Sequence, residues 1–314
     1  MSPVLDTVSD NALRLLGLGL PAVVGAACGA LGLFADPRAA VSVLNRYALY
    51  VGFPALVARG LLEPGSNIPA QPAFWLLWPV ALALALLLSR GVRRPAVGLG
   101  ITFGNVAYLG LPYVLAVMGP SMAGPAALAV AVHVTGAVTV GPALLAHAAG
   151  GAGGLGAVVR PVARLPLFWA PVVGLLLRAT TPTVREVAAG ALTPFASSAA
   201  AVALFLLGLH VYVERSRVLG VGRAVLGLVA VRMVLTPAVV LALAFGARAL
   251  DWLPAELARL HVMLAAMPLA ITTFSMAHDA GVESERVAGA VVVSSLAALV
   301  MLPVWGVAAG LFLS

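Results

Sequence analysis

The chain has 314 residues, of which 18 are basic, 11 acidic and 62% hydrophobic. Charged residues make up 9% of it, against roughly 25% in an average soluble domain, and its mean hydropathy is +1.09. Such a chain has too few charges to cover the surface of a soluble enzyme, a nucleic-acid binder or a disordered protein, and its long apolar runs describe a polytopic α-helical membrane protein.

Ten apolar spans follow one another at 12–34, 39–61, 72–90, 96–118, 124–147, 161–179, 187–213, 223–247, 256–278 and 287–313. Each is close to the roughly 20 residues that cross about 30 Å of hydrocarbon. Asp6 and Asp10 precede the first span without any basic residue. A cleavable signal needs a positive leader, so this span is expected to be retained. The single cysteine, Cys28, lies within it and reads as a small buried hydrophobe.

All 18 basic residues are Arg; without Lys, Schiff-base chemistry and a phosphate-loop lysine are excluded. The Arg are dispersed, with a small cluster only at Arg90, Arg93 and Arg94, so they describe topology and no nucleic-acid partner. Loops after the odd-numbered spans hold Arg38, Arg90, Arg93, Arg94, Arg160, Arg164, Arg215, Arg217, Arg223 and Arg286. The opposite loops hold Arg59, Arg178, Arg185, Arg248 and Arg259, with Arg14 near the same side. The excess predicts that both termini are extracytoplasmic.

The two halves echo each other. Pro21 to Gly25 resembles Pro171 to Gly174; Pro79 and Arg90 match Pro237 and Arg248; Pro112 matches Pro268; and Val130 to His133 with Pro142 matches Val291 to Ser294 with Pro303. The offsets, 150, 158, 156 and 161, are nearly constant, which indicates duplication. Five spans per half make the second copy inverted. The expected architecture is a first repeat at 1–149, a Gly-rich linker at 150–156 and an inverted repeat at 157–314, as in many secondary transporters.

Spans four and nine carry the expected site. Pro112, flanked by Gly104 and Gly110, cannot donate to the carbonyl of Tyr108 and is expected to break its helix near mid-membrane. Pro268 does the same in span nine, with Thr272 and Thr273 one turn on. Asn105, Tyr108 and Pro112 are spaced to share a face. Opposed breaks bring half-helix N-termini together, each worth roughly half a positive charge, and so favour a carboxylate without a buried Lys or Arg. Pro21, Pro54, Pro171, Pro237 and Pro303 read as packing kinks.

These residues resemble the auxin efflux carrier family: Asn105, Gly110, Pro112 and Gly119 in span four; Asn45-Arg46-Tyr47 and Pro54 in span two; Val231 to Pro237 in span eight; and Ala265 to Pro268, Phe274, Val282 and Pro303 in spans nine and ten. The resemblance covers nearly the whole chain. It implies ten spans, a scaffold part and a transport part, crossing of spans four and nine at their prolines, a homodimer, and organic-anion substrates, auxin in plants and malonate or malate in bacterial relatives. Two departures stand out: the Gly linker replaces the long hydrophilic loop of plant members, and residues 74–89 lack the acid and lysine that those carry in span three. The short, Arg- and Ala-rich form implies a bacterial inner-membrane protein.

His133, mid-span, is the only histidine read as deep in hydrocarbon; in plant members a similar position holds a Gln facing the site. His147, His210, His261 and His278 read as interfacial. Arg232, about 13 Å into span eight at 1.5 Å per residue, must find a partner, and closing helix ends in the scaffold is its expected role, with substrate contact the alternative; His133 and Arg232 are the candidates for coupling or gating. Ser197, Ser198, Ser294 and Ser295 read as packing glue between helices. No cofactor or metal is expected. The reading is a secondary carrier of small mono- or dicarboxylates by alternating access, binding through Asn105, Tyr108, Gly110, Pro112, His133, Pro268, Thr272 and Thr273. A sodium- or proton-coupled symporter resembling the bile-acid symporters, with a different organic substrate, is the alternative. No nucleophile–base pair, His-Glu-x-x-His or paired intramembrane carboxylate points to an enzyme.

Overall fold

The computed structural model describes residues 17, 19–63, 68–148, 164, 166–216 and 222–313. The predicted linker 150–156, both chain ends, and Arg14, Arg160 and Arg217 lie outside them. The described residues form helices and turns, with one isolated antiparallel bridge. In chain order the helices are α1 (Gly19–Ala30), α2 (Pro37–Leu62), α3 (Pro72–Leu88), α4 (Pro95–Thr102), α5 (Val106–Met118), α6 (Ala123–Ala148), α7 (Pro166–Arg178), α8 (Pro182–Val213), α9 (Arg223–Ala249), α10 (Ala255–Ala265), α11 (Ile271–Asp279) and α12 (Ser284–Phe312). Among the described residues, α2, α8, α9, α12 and the stretch Pro120–His147 are long and apolar enough to cross a membrane. This is a multi-pass helical membrane protein.

Local chemistry sets the helix starts. Pro37, Pro72, Pro95, Pro166 and Pro182 each stand at the first helical position, where a missing N–H costs nothing. Asp36 caps α2 by accepting from the N–H groups of Arg38 (2.9 Å) and Ala39 (3.0 Å). Thr181 caps α8 at Val184. Large apolar side chains such as Leu31, Leu87, Leu176, Val187 and Val300 are exposed and suit a lipid-facing surface.

Three prolines that were expected to kink or break helices are handled in one way. A π turn runs directly into each: Ala48–Gly52 before Pro54, Val106–Gly110 before Pro112, and Val231–Leu235 before Pro237. A proline ring collides with the carbonyl four residues back and cannot bond it; one wide turn relieves the collision and lets the helix continue. Pro112 therefore does not break its helix, which corrects the expectation. The carbonyl that Pro237 leaves without its helical donor, Met233 O, accepts from the Trp305 indole N–H of α12 at 2.8 Å. Trp305→Phe is expected to lower stability by about 1 kcal/mol, measurable by equilibrium unfolding in mixed micelles; an unchanged curve would show that the carbonyl needs no donor.

α1 and α8 cross in backbone contact. A Cβ on Gly25 would overlap the carbonyl of Phe205, and one on Gly208 the carbonyl of Ala22; such small-residue crossings are how helices approach closely in lipid. The centre of the molecule is α10 and the strands of chain on either side of it, where Leu260 to Leu269 are almost wholly shielded.

Candidate functional site: the crossing of two interrupted helices

The chain leaves helical geometry twice in the buried centre, at Phe103–Asn105 between α4 and α5 and at Ala266–Ala270 between α10 and α11. The two interruptions meet. Gly104 and Leu269 form the antiparallel bridge; the Asn105 N–H donates to Pro268 O at 2.8 Å, and the Ala270 N–H donates to Phe103 O at 3.0 Å. Backbone groups freed by the breaks thus satisfy each other, as burial away from water requires.

Side chains complete the satisfaction. Arg232, fully buried on α9, donates Nε to Met267 O and Nη1 to Ile101 O, both at 2.8 Å. One guanidinium so holds a carbonyl at each interruption, at the crossing and not in the scaffold where the closing role was expected. Its Nη2 has no partner among the described residues and lies against Gly104, where a Cβ would overlap the guanidinium. Ser294 of α12 accepts the Leu269 N–H at 3.1 Å and donates to Val291 O. Thr273 lies within 3.5 Å of Phe103 O through Oγ1.

A cavity of about 110 Å³ opens beside the bridge, lined by polar Thr102, Asn105, Tyr108, His133 and Thr272 among apolar neighbours that include Leu49 and Leu167. Asn105 is 3% exposed and its Nδ2 has no partner among the described residues, so its two N–H donors are available at the cavity wall. The Tyr108 ring stacks on Phe53 of α2 (4.8 Å, 9°) and its hydroxyl donates to Asn45 Oδ1, which fixes one wall. The α5 and α11 N-termini begin at this point, directly after Asn105 and Ala270. Among the described residues, no Asp or Glu lines the cavity.

Of the expected site residues, the structure brings Gly104, Asn105, Tyr108, His133 and Thr272 to the cavity wall. Gly110, Pro112, Pro268 and Thr273 are buried outside it. The π turn at Val106–Gly110 explains Pro112: adding a residue to one turn rotates everything after it away from the Asn105 face. Gly110 instead lets α5 approach Leu264 and Met267, and Pro268 contributes its carbonyl to the bridge. His261 is corrected: it is fully buried, 6.1 Å from His133, not interfacial. His210 is also buried, near Phe274. Asn45, Trp78 and Ser294 were not legible as site residues; only the Asn45-Arg46-Tyr47 motif carried a signal.

Known proteins bear on this geometry. Residues 155–306 match the sequence model of a family described as "Membrane transport protein". Over 162 residues the chain is 34% identical to the "Probable auxin efflux carrier component 5b" of Oryza sativa subsp. japonica. The chain is thus similar to membrane transport proteins of the auxin efflux carrier kind. The aligned stretch is 49% of this chain and 42% of the rice protein, less than half the length of that relative. The matched family is one of membrane transporters.

Proposed function

We propose that the protein is a secondary carrier that moves small organic anions, mono- or dicarboxylates, across a bacterial inner membrane by alternating access. The observation that carries this is the cavity at the helix crossing, with the unpartnered Asn105 amide and the Thr272 hydroxyl beside two helix N-termini. A carboxylate there meets N–H donors and positive dipole ends, with no competing acid among the described residues.

The architecture in this reading is ten spans in two inverted halves, 1–149 and 157–314 around the linker 150–156, with both termini extracytoplasmic. Paired packing supports it. Gly25 of α1 packs on α8, and its sequence counterpart Gly174 of α7 packs on Ala58 of α2. His133 and its counterpart Ser294 flank the crossing from opposite halves. The scaffold would comprise α1, α2, α7 and α8, against which the crossing helices move; a homodimer through the scaffold belongs to the same reading. A sodium-coupled variant is less well supported, since among the described residues no carboxylate lines the cavity to offset a cation.

Asn105→Ala tests the reading. The amide makes no internal bond through Nδ2, so thermal stability should stay within about 1 kcal/mol, whereas losing one hydrogen bond to a charged ligand costs about 1.5–3 kcal/mol. Carboxylate exchange in proteoliposomes is therefore expected to fall roughly 10- to 100-fold in affinity. Wild-type vesicles inert to a panel of mono- and dicarboxylates would remove the proposal.

A further inference from the structure

Behind the cavity lies a set of rings that anion binding as described does not use. His133 of α6 lines the cavity and is 2% exposed. Its imidazole lies flat on the Trp78 indole of α3, centroids 3.8 Å apart and planes 11° apart. His261 of α10 stands 6.1 Å away, nearly parallel at 20°, and Phe74 of α3 meets His261 at 4.9 Å in an edge contact. Neither ring nitrogen of His133 has a hydrogen-bond partner among the described residues. A buried imidazole normally satisfies both nitrogens; one that satisfies neither, at a cavity wall, is placed to exchange a proton with what enters the cavity.

We propose that His133 binds a co-transported proton, taken up together with the carboxylate and released with it, so that the carrier is a proton–carboxylate symporter. This rests on the cavity being the anion site. The balance is simple: a proton adds to an imidazole nitrogen, the ring becomes a cation, and the carboxylate beside it supplies the opposing charge. The indole face stacked on the ring stabilises that cation. The facing groups make the event conditional on substrate. From α10 comes His261, 6.1 Å away, and from α9 the Arg232 guanidinium, which lies behind Gly104 of the cavity wall. From α5 comes Tyr108, whose hydroxyl is committed to Asn45; α3, α4, α7 and α11 bring Trp78, Thr102, Leu167 and Thr272 and no charge. An imidazolium alone would be a second buried cation near Arg232, whereas one beside a carboxylate forms a neutral pair. Each ligand therefore favours the other, which is the reciprocal coupling that symport requires.

The test uses the full chain in proteoliposomes with the membrane potential clamped at zero and radiolabelled malonate as probe, with protein-free vesicles as the blank. Exchange at equal pH reads carriage; uptake against a one-unit inward proton gradient reads coupling. Wild type should accumulate malonate about tenfold over equal-pH vesicles. In His133→Gln, and in Trp78→Leu, the ratio of gradient-driven to equal-pH flux, read within each variant, should fall toward one. Because a variant could fail to fold, proton uptake on malonate binding is also measured on wild type with a pH-sensitive dye, and about one proton per bound malonate is expected. Exchange that ignores the gradient, or binding without proton uptake, overturns proton coupling and leaves carriage standing. A His133→Gln protein that keeps the full gradient response assigns the proton elsewhere and overturns the proposal. Absence of exchange in wild type overturns malonate carriage and, with it, this inference.

Discussion

Arg232→Met is expected to destabilise the crossing by about 3 kcal/mol. The guanidinium is the side-chain donor to Ile101 O and to Met267 O, and both carbonyls lie in the buried centre, where leaving an acceptor unmet costs about 1–3 kcal/mol each. Methionine fills much of the volume but donates nothing. The loss is local to the two interruptions, so amide exchange at Asn105 and Ala270, whose N–H groups close the bridge, should accelerate on the order of 100-fold. Arg232→Lys should recover only part of this, because one ammonium lacks the fork that reaches two carbonyls at once. Exchange protection unchanged in Arg232→Met would mean that the bridge holds without it.

Gly104→Ala should be at least as damaging, although it adds a single methyl. The new Cβ would overlap the Arg232 guanidinium, and nothing about Gly104 needs a positive φ; the requirement is space. Displacing the guanidinium breaks its bonds and leaves a charge buried without acceptors, a situation worth about 3–5 kcal/mol. Under the proposed function, carboxylate exchange should fall more than tenfold along with stability, in contrast to Asn105→Ala, which is expected to spare the fold. The two predictions are linked. In an Arg232→Met background the methyl has no guanidinium to displace, so Gly104→Ala should add less than about 0.5 kcal/mol there. Additive losses would refute the packing explanation, since neighbours that share one contact do not add.

Both predictions concern residues that the sequence marks in different degrees. Gly104 stands in the sequence as a glycine flanking an expected break, and its place in the structure leaves room for a cation on another helix. Arg232 was legible as a group that must find a partner, because an arginine 13 Å deep in hydrocarbon by helix rise has few ways to exist; its partners, Ile101 O and Met267 O, were not. Asn105, Tyr108, His133 and Thr272 were legible because polar side chains are rare in such apolar runs. Pro112 was misread as the break for a definite reason: a proline can be absorbed by one wide turn, and nothing in Phe103 to Pro112 says whether the helix will widen or stop. His261 was misread because distance from a span end is a poor measure of depth when its helix, α10, is only 11 residues long and ends inside the protein.

What the sequence determined by itself is the class of the molecule and where its helices run. Apolar runs with few charges can satisfy their backbone groups in lipid only as helices, and proline and capping residues mark where several of them start. What only the tertiary structure decided is where the helices stop being helices and what replaces the lost bonds. The Gly104–Leu269 bridge, the Arg232 fork, the Ser294 hydroxyl and the ring stack of Trp78, His133 and His261 each join residues from distant parts of the chain. Hydrogen-bond satisfaction in a dry interior is a condition on pairs, and a single span carries only one member of each.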